Sequence, residues 1–200
     1  MQLRFGPNIG MIGGMKQAFL LHGTGGNSTD YFWFADTKEF LEAHGYSVWW
    51  PLLPRTKKPE LQESLDFLLS NMPEITDQET IIIGHSSACP LILSLLEHTD
   101  LLVKQVVLVA GFYASLHDDG YSDRMLATEY DWDKIRQSCK EFILINSDND
   151  PWGCTDTAAG LIAEELGALL VRATGQGHMG SGTYSQPYPE HTKLKELLAV

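Results

Sequence analysis

Basic residues are scarce in this chain. Fourteen Lys and Arg stand against 26 Asp and Glu in 200 residues, a formal net charge of −12 and a sequence pI of about 4.9. Phosphate binding needs a clustered cationic face, so this scarcity argues against nucleic acid and anionic membrane as partners. Long apolar runs are missing too, and none approaches the ~20 residues that cross a bilayer. Cysteine is sparse: Cys89, Cys139 and Cys154 are odd in number and lack metal-ligand spacing, which points to a reducing cytoplasm. There is no HExxH, no CxxC pair and no G-x-x-x-x-G-K-[ST], so neither metal nor another cofactor is expected. The dinucleotide pattern begun by Gly23 and Gly25 fails where its third glycine would fall, at Ser28. Residues 1–16 contain no long apolar stretch of the kind a signal peptide needs. We read them as an N-terminal extension, a late true start included, ahead of one domain over residues 17–200.

What is present is alternation. Strand-like runs at Gln17–His22, Tyr46–Pro51, Thr80–Gly84, Gln105–Gly111, Glu141–Asn146 and Ala168–Thr174 are separated by stretches of helical period. Helices are expected over Asp30–His44, Pro59–Met72 (with Leu61, Leu65, Leu68 and Leu69 on one face), Ser87–Glu97, Asp131–Ser138, Thr155–Leu166 and Glu190–Leu198. The continuous isoleucines of Thr80–Gly84 suit a parallel strand covered on both faces. Strand–helix alternation of this kind predicts an α/β domain: a mostly parallel sheet of about six strands between two helical layers.

Gly84-His85-Ser86-Ser87-Ala88 lies between the isoleucine strand and the next helix. In a nucleophile elbow that turn is so tight that the central side chain projects above the sheet, with small residues two before and two after it. Gly84 and Ala88 fill those places around Ser86, although the usual pattern ends in glycine. The amide of Ser87 would then be one free donor at the helix N-terminus for a developing oxyanion. A second donor is expected from the Gly-rich loop after the first strand, from Thr24 or from Gly25. The competing reading is a plain Ser-Ser helix N-cap.

A serine nucleophile needs a base and an orienting carboxylate, which in this architecture follow it in chain order. The fifth strand ends in Asn146-Ser147-Asp148-Asn149-Asp150-Pro151. Asp150 is favoured because proline holds its predecessor extended, and Asp148 is the alternative, bonding the turn backbone. The sixth strand ends in Gly175-Gln176-Gly177-His178, which places His178 to reach across the sheet edge. Phe112, Tyr113, Trp152 and Met179 adjoin these positions and are candidate pocket residues, while Tyr31, Trp33 and Phe34 read as core. Cys89 reads as packing rather than a second nucleophile.

These motifs together resemble the small serine hydrolase family of the α/β-hydrolase superfamily, the group of retinoblastoma-binding protein nine and the YdeN-like proteins. The resemblance rests on HG after the first strand, IIIGHSS, VLVAGF, YDWDKIRQSCK, NSDNDP and GQGH. It implies an α/β/α hydrolase fold and a Ser86–His178–Asp150 triad. It also implies cofactor-free cleavage of a small-molecule ester or amide through an acyl-enzyme. Two departures are Ala88 in the elbow and the tail MGSGTYSQPYPEH after His178. The stretch between the fourth and fifth strands is too short for a full cap domain. The alternatives are an interaction module on the same fold with weak or lost activity, or an aminopeptidase or acyltransferase. Carboxylates outnumber cations between Asp118 and Asp150. An acidic Asp118–Asp123 loop at the mouth would favour neutral or cationic substrates, and salt would blunt the preference.

Overall fold

The computed structural model describes residues 16–26, 31–75, 78–116 and 122–200. Residues 1–15 of the N-terminal extension, the start of the first expected helix, Ser28, Asp118 and Asp119 thus lie outside the described residues. The elements alternate throughout: β1 (Gln17–Leu21), α1 (Phe34–Ala43), β2 (Ser47–Trp49), α2 (Leu61–Asn71), β3 (Ile81–His85), α3 (Ala88–His98), β4 (Val103–Val109), α4 (Trp132–Gln137), β5 (Cys139–Asn146), α5 (Asp156–Leu166), β6 (Leu169–Arg172) and α6 (Thr192–Leu197).

All strand pairs are parallel, in the order β2-β1-β3-β4-β5-β6. Two core clusters divide the strand residues by alternation. Ile82, Val106, Leu108, Phe142 and Leu144 pack with residues of α2, α3, α4 and α5. Ile81, Ile83, Val107, Val109, Ile143 and Ile145 pack with Phe34, Leu41 and Leu194 of α1 and α6. The product is an α/β/α sandwich. Burial on both faces explains why the strands are unbroken apolar runs.

The differences from the sequence reading are local. Strands β4 and β5 begin two residues earlier than their apolar runs, because Val103 pairs with Cys139 beside the polar Lys104 and Lys140. Leu69 is 46% exposed while Leu65 and Leu68 are buried. One residue past Leu68 is a further ~100° around a helix, off the buried stripe. Caps follow the local chemistry: the Asp131 side chain accepts from Lys134 N, the Thr155 side chain from Ala158 N, and Gly167 closes α5 at φ 62°. Between β4 and α4 the described residues contain one short 3₁₀ turn, Ser122–Met125.

The chain reverses direction across the sheet between β1 and β3, which are neighbours although β2 separates them in sequence. Loops leaving the carboxyl ends of two such strands diverge and open a crevice. The loop of Gly23–Gly26 leaves β1 and Ser86 leaves β3, so both border that crevice.

Candidate active site

Ser86 occupies the turn between β3 and α3 at φ 55°. A left-handed backbone costs a residue with a Cβ about 1–2 kcal/mol and persists where neighbours over-determine it. Here Ser86 N–H donates to Val109 O and Ser86 O accepts from Cys89 N, both at 2.9 Å. The elbow is therefore tied to β4 on one side and to the first turn of α3 on the other. Ala88, the first residue of α3, is buried, and a Cβ placed on Gly84 would stand 3.4 Å from the Ala88 carbonyl and 2.4 Å from Ile92 Cδ1. At Gly23 the close approach is to backbone: a Cβ there would lie 2.8 Å from both His85 O and Ser86 Cβ. Nothing in the sequence reading singled out Gly23 for this; its signal is its place directly after β1 and His22.

Ser87 stands at the N-cap of α3 but makes no side-chain cap hydrogen bond. Its hydroxyl is 3.0 Å from that of Thr24, so the two segments expected to supply oxyanion donors are bonded to each other. Gly25 N–H is committed to Thr56 O at 2.5 Å.

The loops after β5 and β6 meet in a series of short bonds. Gly175 N donates to Asp148 Oδ1 (2.8 Å), Gln176 N to Ser147 Oγ (3.0 Å) and Gly177 N to Asn149 Oδ1 (2.8 Å). The next partner in the series is a side chain: His178 Nδ1 lies 2.7 Å from Asp150 Oδ2. The Asp150 side chain is fully buried, and its other oxygen accepts from Trp152 N at 2.8 Å. A carboxylate only accepts, so Nδ1 is the donor, and in the neutral His178 ring Nε2 keeps its lone pair. Asp148 takes the role of turn clamp. The Gly175 amide, with the Arg172 guanidinium at 3.2 Å, holds its carboxyl below the ordinary range.

His85, which directly precedes Ser86, is wholly buried beneath His178. Burial, reinforced by the neighbouring His178, holds its pKa well below the ordinary histidine value. His22 is likewise held down by burial. It accepts from Leu53 N at Nε2 (2.9 Å), so its Nδ1–H donates to Gly23 O (2.8 Å).

A cavity of about 710 Å³ connects these parts, and its lining includes Thr24, Ser86, Ser87, Phe112, Trp152 and His178. Two expected pocket residues, Tyr113 and Met179, are not among its lining. Tyr113 stacks edgewise on Trp132 and joins the core on the α3 face. Met179 is fully buried: at φ 51° it joins the core cluster with Trp33 and Phe34. Tyr31 is a core residue as expected and also borders the cavity, and the tail after His178 contributes Gly180, Ser181, Gly182 and Thr183. Among the described lining residues the fixed charge is Lys57 and no carboxylate is present. The expected acidic mouth is therefore absent from the described lining.

Cys154 also borders the cavity, and its thiol, Asp150 and His178 offer ligand atoms within 4.8 Å of one another. The donor set suits a metal poorly. Both Asp150 oxygens already accept hydrogen bonds, and burial, with Asp150 nearby, pushes the Cys154 thiol well above its ordinary pKa. Cys89 is a packing residue as expected, its thiol raised by burial and 3.5 Å from Val109 O.

Similarity to known proteins agrees with this architecture. YdeN of Bacillus subtilis is 30% identical over 168 residues, covering 82% of this chain and 85% of that protein. Its crystal structure superposes with a TM-score of 0.79 at 25% identity, covering 91% of this chain and 96% of that one. The serine hydrolase RBBP9 of Rattus norvegicus is 29% identical over 132 residues, 62% of this chain and 60% of that protein. Est1E from Butyrivibrio proteoclasticus, solved with ferulic acid bound, shares the fold at a TM-score of 0.62 and 12% identity. The family model described as serine hydrolase matches residues 18–196. With the elbow at β3 and nearly the whole domain matched, the chain belongs to the serine hydrolase family of α/β hydrolases.

Proposed function

We propose that the protein hydrolyses a small-molecule carboxylic ester or amide through an acyl-enzyme on Ser86, with His178 as general base and Asp150 as its orienting carboxylate. The observation that carries this reading is the union of two features at one cavity. Ser86 is held at a left-handed backbone angle, and His178 is fixed at Nδ1 by a buried carboxylate. In the reaction, Ser86 Oγ attacks the carbonyl carbon as its proton passes to His178 Nε2. The imidazolium formed is stabilised by Asp150 and then protonates the leaving group. Water, deprotonated by the same nitrogen, releases the acid. The developing oxyanion is met by the backbone N–H groups of Ser87 and Thr24. The assignment to Thr24 is supported by the engagement of the Gly25 amide with Thr56. Phe112 and Trp152 would face the acyl group.

No metal or organic cofactor has a task in this chemistry, and nucleic acid and membranes are not proposed as partners. Among the described residues no helix is long and apolar enough to cross a membrane. The three buried, unpaired cysteines support a cytoplasmic location. A fluorophosphonate probe is expected to label the folded protein at neutral pH, and Ser86→Ala to abolish labelling. Unlabelled wild-type protein, or labelling that survives Ser86→Ala, refutes the assignment.

A further inference from the structure

His85 is a polar ring sealed in the core one residue before the proposed nucleophile, and its two nitrogens are both used. Nε2 lies 2.8 Å from the backbone oxygen of His178. A carbonyl can only accept, so Nε2 carries the hydrogen. The ring is kept neutral by its burial, which leaves Nδ1 a bare lone pair. The Tyr31 hydroxyl, 3.0 Å away, must therefore donate to Nδ1. Tyr31 thus selects the tautomer that can reach the His178 loop. Edgewise contacts from Tyr31, Phe32 and Trp33, with centroids 5.6–6.3 Å from the imidazole, hold its plane.

The segment that His85 grips is conformationally costly. Gly177, Met179 and Gly180 all have positive φ (57°, 51° and 123°), and Met179 has a Cβ to accommodate. Such backbone relaxes unless fixed from outside. The amides of Gly177 and Gly180 are held by Asn149 and Gln186, and two ring donors fix the carbonyls between them: His85 Nε2–H on the carbonyl of His178, and Trp33 Nε1–H on the carbonyl of Met179 at 3.0 Å. The same residue whose backbone leads into Ser86 therefore binds the backbone of the base through its side chain.

Resting on the assignment of Ser86 and His178 above, we propose that His85, in the tautomer set by Tyr31, is a positioning residue that fixes the distance between nucleophile and base. It touches neither substrate nor the reacting atoms and acts through the His178 backbone. Loss of this anchor frees the strained loop to move by a fraction of an ångström to an ångström, and misplacement on that scale costs about 100-fold in rate.

The test compares His85→Phe, His85→Gln and Tyr31→Phe by the rate of fluorophosphonate labelling, by kcat and KM for p-nitrophenyl butyrate, and by the ¹H NMR signal of the His178 Nδ1 proton. His85→Phe keeps a flat ring without the donor. It is expected to label about 100-fold more slowly with KM held, and its Nδ1 proton signal should broaden by exchange. His85→Gln, which returns an N–H donor, is expected to recover to within about tenfold of wild type with a sharp signal. Tyr31→Phe falls between them and serves if His85→Phe does not fold. Wild-type labelling and a sharp proton signal in the folded Phe variants overturn the proposal. The NMR signal reports the anchor without reference to Ser86, so labelling that survives Ser86→Ala would remove the hydrolase assignment while leaving this test readable.

Discussion

Replacing Asp150 by asparagine changes one atom and should nearly silence the enzyme. The magnitude follows from the two donors the carboxylate serves. Oδ1 accepts Trp152 N–H at 2.8 Å and Oδ2 accepts His178 Nδ1–H at 2.7 Å. Asparagine can keep its carbonyl toward only one of them. The Trp152 donor is backbone and cannot change its sign, whereas an imidazole can move its proton. The amide NH₂ therefore faces His178, Nδ1 becomes the acceptor, and Nε2 carries the hydrogen. A histidine in that tautomer cannot take the proton of Ser86, and the loss expected is about 10⁴-fold in kcat, on the order of 5 kcal/mol of transition-state stabilisation. The control is Asp148→Asn. It keeps an acceptor for Gly175 N–H and loses a pairing with Arg172, whose side chain is 60% exposed, so activity should stay within about fivefold of wild type. Labelling rate and p-nitrophenyl ester turnover are the assays, with thermal unfolding to confirm both variants fold. If Asp150→Asn labels within about tenfold of wild type, or if Asp148→Asn is the silent variant, the tautomer argument is wrong.

Three further substitutions test the surroundings. Gly23→Ala would place a methyl 2.8 Å from His85 O and Ser86 Cβ. Backbone cannot yield there, so labelling should be lost and the melting temperature lowered by a penalty of about 1–3 kcal/mol; an unperturbed variant would show that the elbow has slack. Ala88→Gly should cost about 1 kcal/mol of helix stability in a thermal melt while leaving the labelling rate unchanged. A large gain or loss of rate would mean that Ala88 does tune the elbow. His191 has its pKa lowered by burial to about 4, and its Nδ1 caps α6 by accepting from Leu194 N. The unfolded chain therefore takes up this proton first as pH falls. Stability is fully present above about 6.5, and on the order of 3 kcal/mol is lost on descending to about 4. His191→Asn keeps a cap acceptor without the titration, and urea midpoints across that window should fall less steeply by that amount; an unchanged slope refutes the assignment.

How much of this was legible in the sequence depends on whether chain neighbours suffice to fix a side chain. Parallel strands covered on both faces read as apolar runs, so the sheet, its order of loops and the turn holding Ser86 follow from local pattern. Tyr113 and Met179 lie off the cavity lining because nearness in sequence says nothing about direction after a turn. Met179 follows His178 and, at φ 51°, points into the core. His85 carries a signal of its own. Ile81, Ile83 and His85 alternate onto one face of β3, and Ile81 and Ile83 pack with Tyr31, Trp33 and Phe34. What the alternation does not supply is the carbonyl of His178, reached from 93 residues away.

The choice between two carboxylates shows the same boundary. Ser147, Asp148 and Asn149 are each consumed by one backbone N–H of the loop after β6, those of Gln176, Gly175 and Gly177. Partly buried amides require such partners, and once three successive acceptors are spent on three successive donors, Asp150 is the acceptor left and the His178 ring is the donor left. Sequence displays Ser-Asp-Asn-Asp as four similar acceptors. The register of one loop against the other, which only folding fixes, makes the last of them the partner of the base.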